Sequence, residues 1–201
     1  MTGPKTLLQM AGAPASPSRL SEATLVVVDA QGEYSSGKLP LDGIGPALQR
    51  LAALLAAARN AGTPVIHIAH KGRPGSLFDR EAAGGAILPE AAPVGAEPVI
   101  EKGLPNAFAG TSLQETLAAI GRRELILAGF QTHMCISSTA RAALDLGYRV
   151  TVAGDACATR ALPDPLGGAP VSGAELHRIA LAELADRFAV VAPVEAIIAQ
   201  A

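Results

Sequence analysis

The chain has 201 residues, a length that suits one domain with a substantial core. Apolar residues make up 49% and aromatics 3%, with no tryptophan, so that core is built from aliphatic packing. A net charge of −2 excludes a broad basic surface for nucleic acid, and no apolar run approaches the roughly 18 residues of a membrane span.

Residues 1–21 are rich in Pro, Ala, Ser and Gly without periodicity and read as a loose arm, leaving 22–201 as the folded domain. The arm's broken Leu-Leu-Gln-Met run is too short for a signal peptide. Two cysteines make no disulfide framework, so a cytoplasmic location is expected, with Cys135 better used as a reactive thiol than bridged to Cys157.

Thr24–Val28 is a continuous apolar run, the mark of a strand covered on both faces, with Asp29 at its carboxyl end. Leu48, Leu51 and Leu55 recur at helical spacing within 42–61, and Asn60-Ala61-Gly62 stops that helix. Pro64–Ala69 is a second strand ending at His70. The Gly/Pro-rich stretch 70–97 has the length of a functional loop. Val99–Glu101 is a short strand leading to Lys102, and Thr111 or Ser112 is placed to cap a helix over 112–120.

Strand 124–128, helix 134–146 and strand 149–153 follow, then a Pro/Gly-rich loop over 155–171. Ser172 and Glu175 have capping-box spacing for a helix over 172–187, before a last strand at 188–191 and a short helix at 194–199. The alternation predicts a three-layer α/β/α fold with a mainly parallel sheet of about six strands, Rossmann-like in layout.

Asp29, Lys102 and Cys135 then fall at or just past the carboxyl ends of three strands, the ligand-binding edge of such a sheet. Taken singly, each has a plain structural reading: a turn cap, a surface lysine and a small buried hydrophobe. Together they suit acyl transfer. A thiol at a helix start is favoured as thiolate, Asp29 can take its proton, and Lys102 offsets the negative charge. Attack by Cys135 on an acyl carbon gives a thioester, and water activated by Asp29 releases the acid. Backbone N–H groups of the turn 130–135 are placed to hold the oxyanion.

The run Val26-Val27-Val28-Asp29-Ala30-Gln31 carries a resemblance that continues in Val99-Ile100-Glu101-Lys102-Gly103, with Asn106-Ala107-Phe108 downstream. It extends through Ala128-Gly129-Phe130-Gln131-Thr132-His133-Met134-Cys135, then Gly147-Tyr148-Arg149-Val150 and Asp155-Ala156-Cys157-Ala158-Thr159. In these motifs, from about Ala23 to Ile198, the chain resembles the isochorismatase-like cysteine hydrolases. The resemblance implies a catalytic triad of Asp29, Lys102 and Cys135. It also implies a cis peptide at Phe130–Gln131 that aims the N–H groups of Gln131 and Cys135 at an oxyanion.

Gln31, Tyr34, His70, Phe108, Phe130 and His133 are the residues expected to bind substrate. His133 either contacts it or caps the helix, while Thr132, Thr139 and His177 are expected to be structural. Nicotinamidase-type members bind a metal through an Asp-x-His pair, which is replaced here by His67-Ile68-Ala69-His70, so no metal and no cofactor are expected. Cleavage of the isochorismate vinyl ether does not need the cysteine, so its presence argues for an amide, carbamoyl or lactam bond in a small-molecule substrate. An enol-ether hydrolase and a non-catalytic binding member of the fold are the rival readings. Ala/Leu-rich helices with few charges suggest a homodimer or higher homo-oligomer. Neither nucleic acid nor membrane is expected as a partner.

Overall fold

The computed structural model describes residues 3–200. Its first strand, β1 (Ala23–Val28), is buried along its whole length because both of its faces meet a helix layer. Leu25 and Val27 enter one core, and Val26 and Val28 enter the other. The remaining strands are β2 (Val65–His70), β3 (Val99–Lys102), β4 (Glu124–Phe130), β5 (Arg149–Ala158) and β6 (Val190–Ala192). They form one six-stranded sheet in the order β3-β2-β1-β4-β5-β6, and every pairing is parallel.

Three boundaries differ from the sequence reading, the first of them in the segment read as a loose arm, which is docked. Thr6 and Gln9 form a capping box on a single helical turn, α1 (Leu7–Met10), and the Leu7 N–H donates to Asp186 Oδ1 at 2.8 Å. Ser18 N–H donates to Thr151 Oγ1 at 2.9 Å, and Leu20 is fully buried. One helical turn is too short to show periodicity, so the sequence pattern does not reveal it.

Helix α2 (Ile44–Asn60) buries Ala47, Leu48, Leu51, Leu54, Leu55 and Ala58 at helical spacing. It shares the first core with α6 (Val194–Ile198). The opposite core takes Leu113 and Leu117 from α3 (Leu113–Ile120), Ala140 and Ala143 from α4 (Ser137–Asp145), and Leu184 from α5 (Gly173–Arg187). This is the three-layer arrangement expected from the alternation of strands and helices. Truncating a fully buried leucine such as Leu51 to alanine in a core of this kind costs about 2–5 kcal/mol.

The order places β1 beside β4 at the centre, where the chain reverses its direction of sheet growth. Open α/β sheets bind ligands beyond the carboxyl ends of the strands at that point. Gly129 lets the two strands meet there: its φ is +115°, and an added Cβ would lie 2.1 Å from the Val28 carbonyl oxygen.

The other two boundary differences lie on either side of this junction. Gly154 and Asp155 suggest a loop in sequence, yet β5 continues past Ala153 to Ala158. A register shift between Leu127 and Gly129 lets Cys157 and Ala158 pair with Gly129 and Phe130. The helix expected over 134–146 begins instead with a wide π-type turn, Thr132–Ile136, and regular α4 starts at Ser137.

Candidate active site

Asp29 leaves the end of β1 in the left-handed region, at φ +50°, while its N–H still donates to the Ile68 carbonyl at 2.9 Å. Lys102 ends β3 in register with His70 on β2, and its side chain reaches across β2 toward β1. Cys135 arrives from the π-type turn after β4. The Lys102 Nζ lies 2.7 Å from Asp29 Oδ2, 3.3 Å from Cys135 Sγ and 3.3 Å from His70 Nδ1. Asp29, Lys102 and Cys135 are 0%, 2% and 3% exposed. The lysine and the carboxylate form a close, fully buried charge pair. An unpaired charge at such a depth is costly, and Asp29 and Lys102 compensate each other.

Burial pushes the Asp29 carboxyl above its ordinary range, with Lys102 opposing that shift. Burial also pushes the Cys135 thiol up to about 12, and the Asp29 charge adds to it. This corrects the expectation that the helix start and Lys102 favour thiolate. Desolvation and a neighbouring carboxylate outweigh both, so the resting group is a neutral thiol beside a potential base. The Phe130–Gln131 peptide bond is cis.

The Isochorismatase domain family matches residues 23–196. The chain belongs to the isochorismatase family. A solved isochorismatase from Pseudomonas putida KT2440 is 42% identical, with a TM-score of 0.92, and the match covers 97% of this chain and 100% of that one. The secreted isochorismatase effector Isc1 of Verticillium dahliae is 37% identical over 180 residues, 89% of this chain and 92% of that protein. A streptothricin hydrolase of Streptomyces noursei is 37% identical over 139 residues, 69% of this chain and 50% of that protein. The family is hydrolytic, and this chain is one of its hydrolases.

Around the trio of this isochorismatase-family chain, the expected pocket residues divide. Tyr34 is buried and sets its ring edge-on to Phe78 at 5.1 Å and Phe130 at 6.1 Å. Burial, then the charge of Asp29, holds its phenol well above the ordinary range, so it stays a neutral hydroxyl. His70 packs on Phe78 at 5.1 Å, and burial followed by the Lys102 charge pushes it down to about 4. It is therefore a neutral acceptor beside Lys102. His133 shares a hydrogen bond with Thr159 Oγ1, and its buried Nε2 has no partner among the described residues. Phe130 is fully buried within the first core.

Two residues serve other ends. Gln31 spends its side-chain amide on structure: Nε2 donates to the carbonyls of His70 at 2.9 Å and Gly85 at 2.8 Å, and Oε1 accepts from His70 N–H at 2.8 Å. Phe108 stacks on Tyr148 at a centroid distance of 6.1 Å and packs against the second core. Phe78 fills the aromatic place beside Tyr34 and His70, and no periodic pattern in the loop 70–97 marks it. Thr132, expected to be structural, bonds to His177 Nδ1 at 2.8 Å and ties the turn to α5. His67 bonds to Glu97 at 2.9 Å instead of facing the site. Among the described residues no cluster of three or more His, Cys, Asp or Glu side chains is arranged for a metal ion, and no helix is long and apolar enough to cross a membrane.

Proposed function

We propose that this chain is a cysteine amidohydrolase that cleaves a C–N bond of a small amide, carbamoyl or lactam compound without a metal. The carrying observation is the position of Lys102 Nζ, within 3.3 Å of both Cys135 Sγ and Asp29 Oδ2. Asp29 takes the thiol proton as Sγ bonds to the carbonyl carbon, and Lys102 balances the charge that forms. The N–H groups of Gln131 and Cys135 hold the oxyanion. Its collapse breaks the C–N bond, and Asp29 returns the proton to the leaving amine, leaving a thioester. Asp29 then deprotonates a water molecule, whose attack releases the acid and restores the thiol.

Arg160 follows Thr159 just beyond the Phe130–Ala158 pair, and its buried Nε has no hydrogen-bond partner among the described residues. Its Nη1 donates to the Ala161 carbonyl at 3.4 Å, and its charge acts on both Tyr34 and His133, which supports a role beside the same pocket. A carboxylate on the substrate would satisfy it. The test is intact-mass spectrometry with a panel of small amides, some of them acidic. An acyl adduct on the wild-type protein that is absent from Cys135→Ala and Asp29→Asn supports the reading. Turnover of isochorismate that survives Cys135→Ala overturns it in favour of enol-ether chemistry.

A further inference from the structure

Cys135 is only 3% exposed, which leaves little room for a substrate to approach its thiol in this arrangement. Beyond β2, the segment 72–79 is an exposed stretch that reaches toward the trio through one buried ring. Lys71 and residues 73–77 are exposed, and Phe78 alone is buried. Among the described residues, 72–78 hydrogen-bond only within 72–79. Gly72 N–H donates to Phe78 O at 2.9 Å, Ser76 N–H to Arg73 O at 3.0 Å, and Gly75 N–H to Asp79 Oδ2 at 2.7 Å. The segment is thus a self-contained knot. It is held at Lys71 by an N–H bond to the Lys102 carbonyl and an ion pair with Glu101, and at Arg80 by an ion pair with Glu101 and a bond to the Gly85 carbonyl. Its aromatic contact inward is the Phe78 ring, against Tyr34 and His70. Phe78 has φ +60°, a conformation that a bulky side chain holds only where its surroundings impose it.

We propose that the 72–79 knot is a gate over Cys135 and that Phe78 is its latch. Substrate enters when the ring lifts from Tyr34 and His70, and the backbone strain at Phe78 favours that release. Closure restores a dry site around the trio. The proposal rests on Cys135 as the reacting atom, but its test reads access to the thiol and not turnover, so the two can fail separately.

In a Cys157→Ala background, Cys135 is alkylated at one pH with iodoacetamide and with a bulky fluorescent maleimide. Phe78→Ala should speed the bulky reagent by about tenfold or more and the small one by less, with Phe78→Leu between. A change in thiol acidity would speed both alike, so the ratio isolates access. Met10→Ala, an exposed side chain on α1, should change neither. Unchanged rates in a Phe78→Ala protein with wild-type melting overturn the gate. Should that variant not fold, hydrogen exchange of the wild type decides. The Gly72 amide exchanging far faster than that of Asp29 supports the gate, and equal protection overturns it.

Discussion

Lys102 Nζ sits 2.7 Å from Asp29 Oδ2, with both side chains fully shielded from water. The pair brings opposite charges to one point from two strands that are not neighbours, since β2 lies between them. Among the described residues neither has another oppositely charged partner that would justify its depth, and Cys135 stands within reach of the same ammonium.

In the proposed mechanism the three act as one unit, so their losses should not add. Asp29→Asn and Lys102→Met should each lower kcat by about 10²-fold or more, and the double variant should be little worse than either. Steady-state kinetics on any amide found to form an adduct checks this.

Alkylation of Cys135 should keep rising with pH through about 10 with no plateau near neutrality, because burial and Asp29 hold the thiol up to about 12. A plateau below about pH 8 would show a stable thiolate. The acid limb of the activity profile should lie above the ordinary Asp value of 3.8, since Asp29 is raised and must be ionised to act as base.

Glu97 is held down to about 2, first by the hydrogen bonds from Arg59 and then by those from Val94 and His67. Its folded value lies below its ordinary 4.5, so the stability it contributes is present above that pH and is lost as pH falls toward 2. The melting-temperature gap between wild type and Glu97→Gln should be widest near neutrality and close in acid.

Gly129→Ala should destabilise the fold by about 2 kcal/mol or more, through the left-handed backbone and the clash with Val28. Urea unfolding measures it, and a loss below a few tenths would show that β1 and β4 can part.

Arg160→Met should raise KM for acidic amides far more than for neutral ones while sparing kcat. Equal effects on both would remove the carboxylate assignment.

The layers and the strand-end trio were legible because apolar runs such as Val26–Val28 and Ile126–Leu127 declare buried strands, and a strand's end declares the sheet edge. What the pattern does not carry is direction within loops. Phe78 and Phe108 look alike in an aperiodic context, and only tertiary contact shows that the first faces Tyr34 and the second Tyr148. The acidity of Cys135 escapes for a related reason: a helix start is visible in sequence, while the depth of a thiol is not.

The strand order has a consequence for how this protein is made. Asp29, Lys102 and Cys135 come from the first, third and fourth strands, and they meet only after a long stretch of chain has been laid down and the centre of the sheet has closed. The lysine–aspartate pair thus depends on contacts far apart in sequence, and it is shielded from water only when β1, β2 and β3 lie side by side.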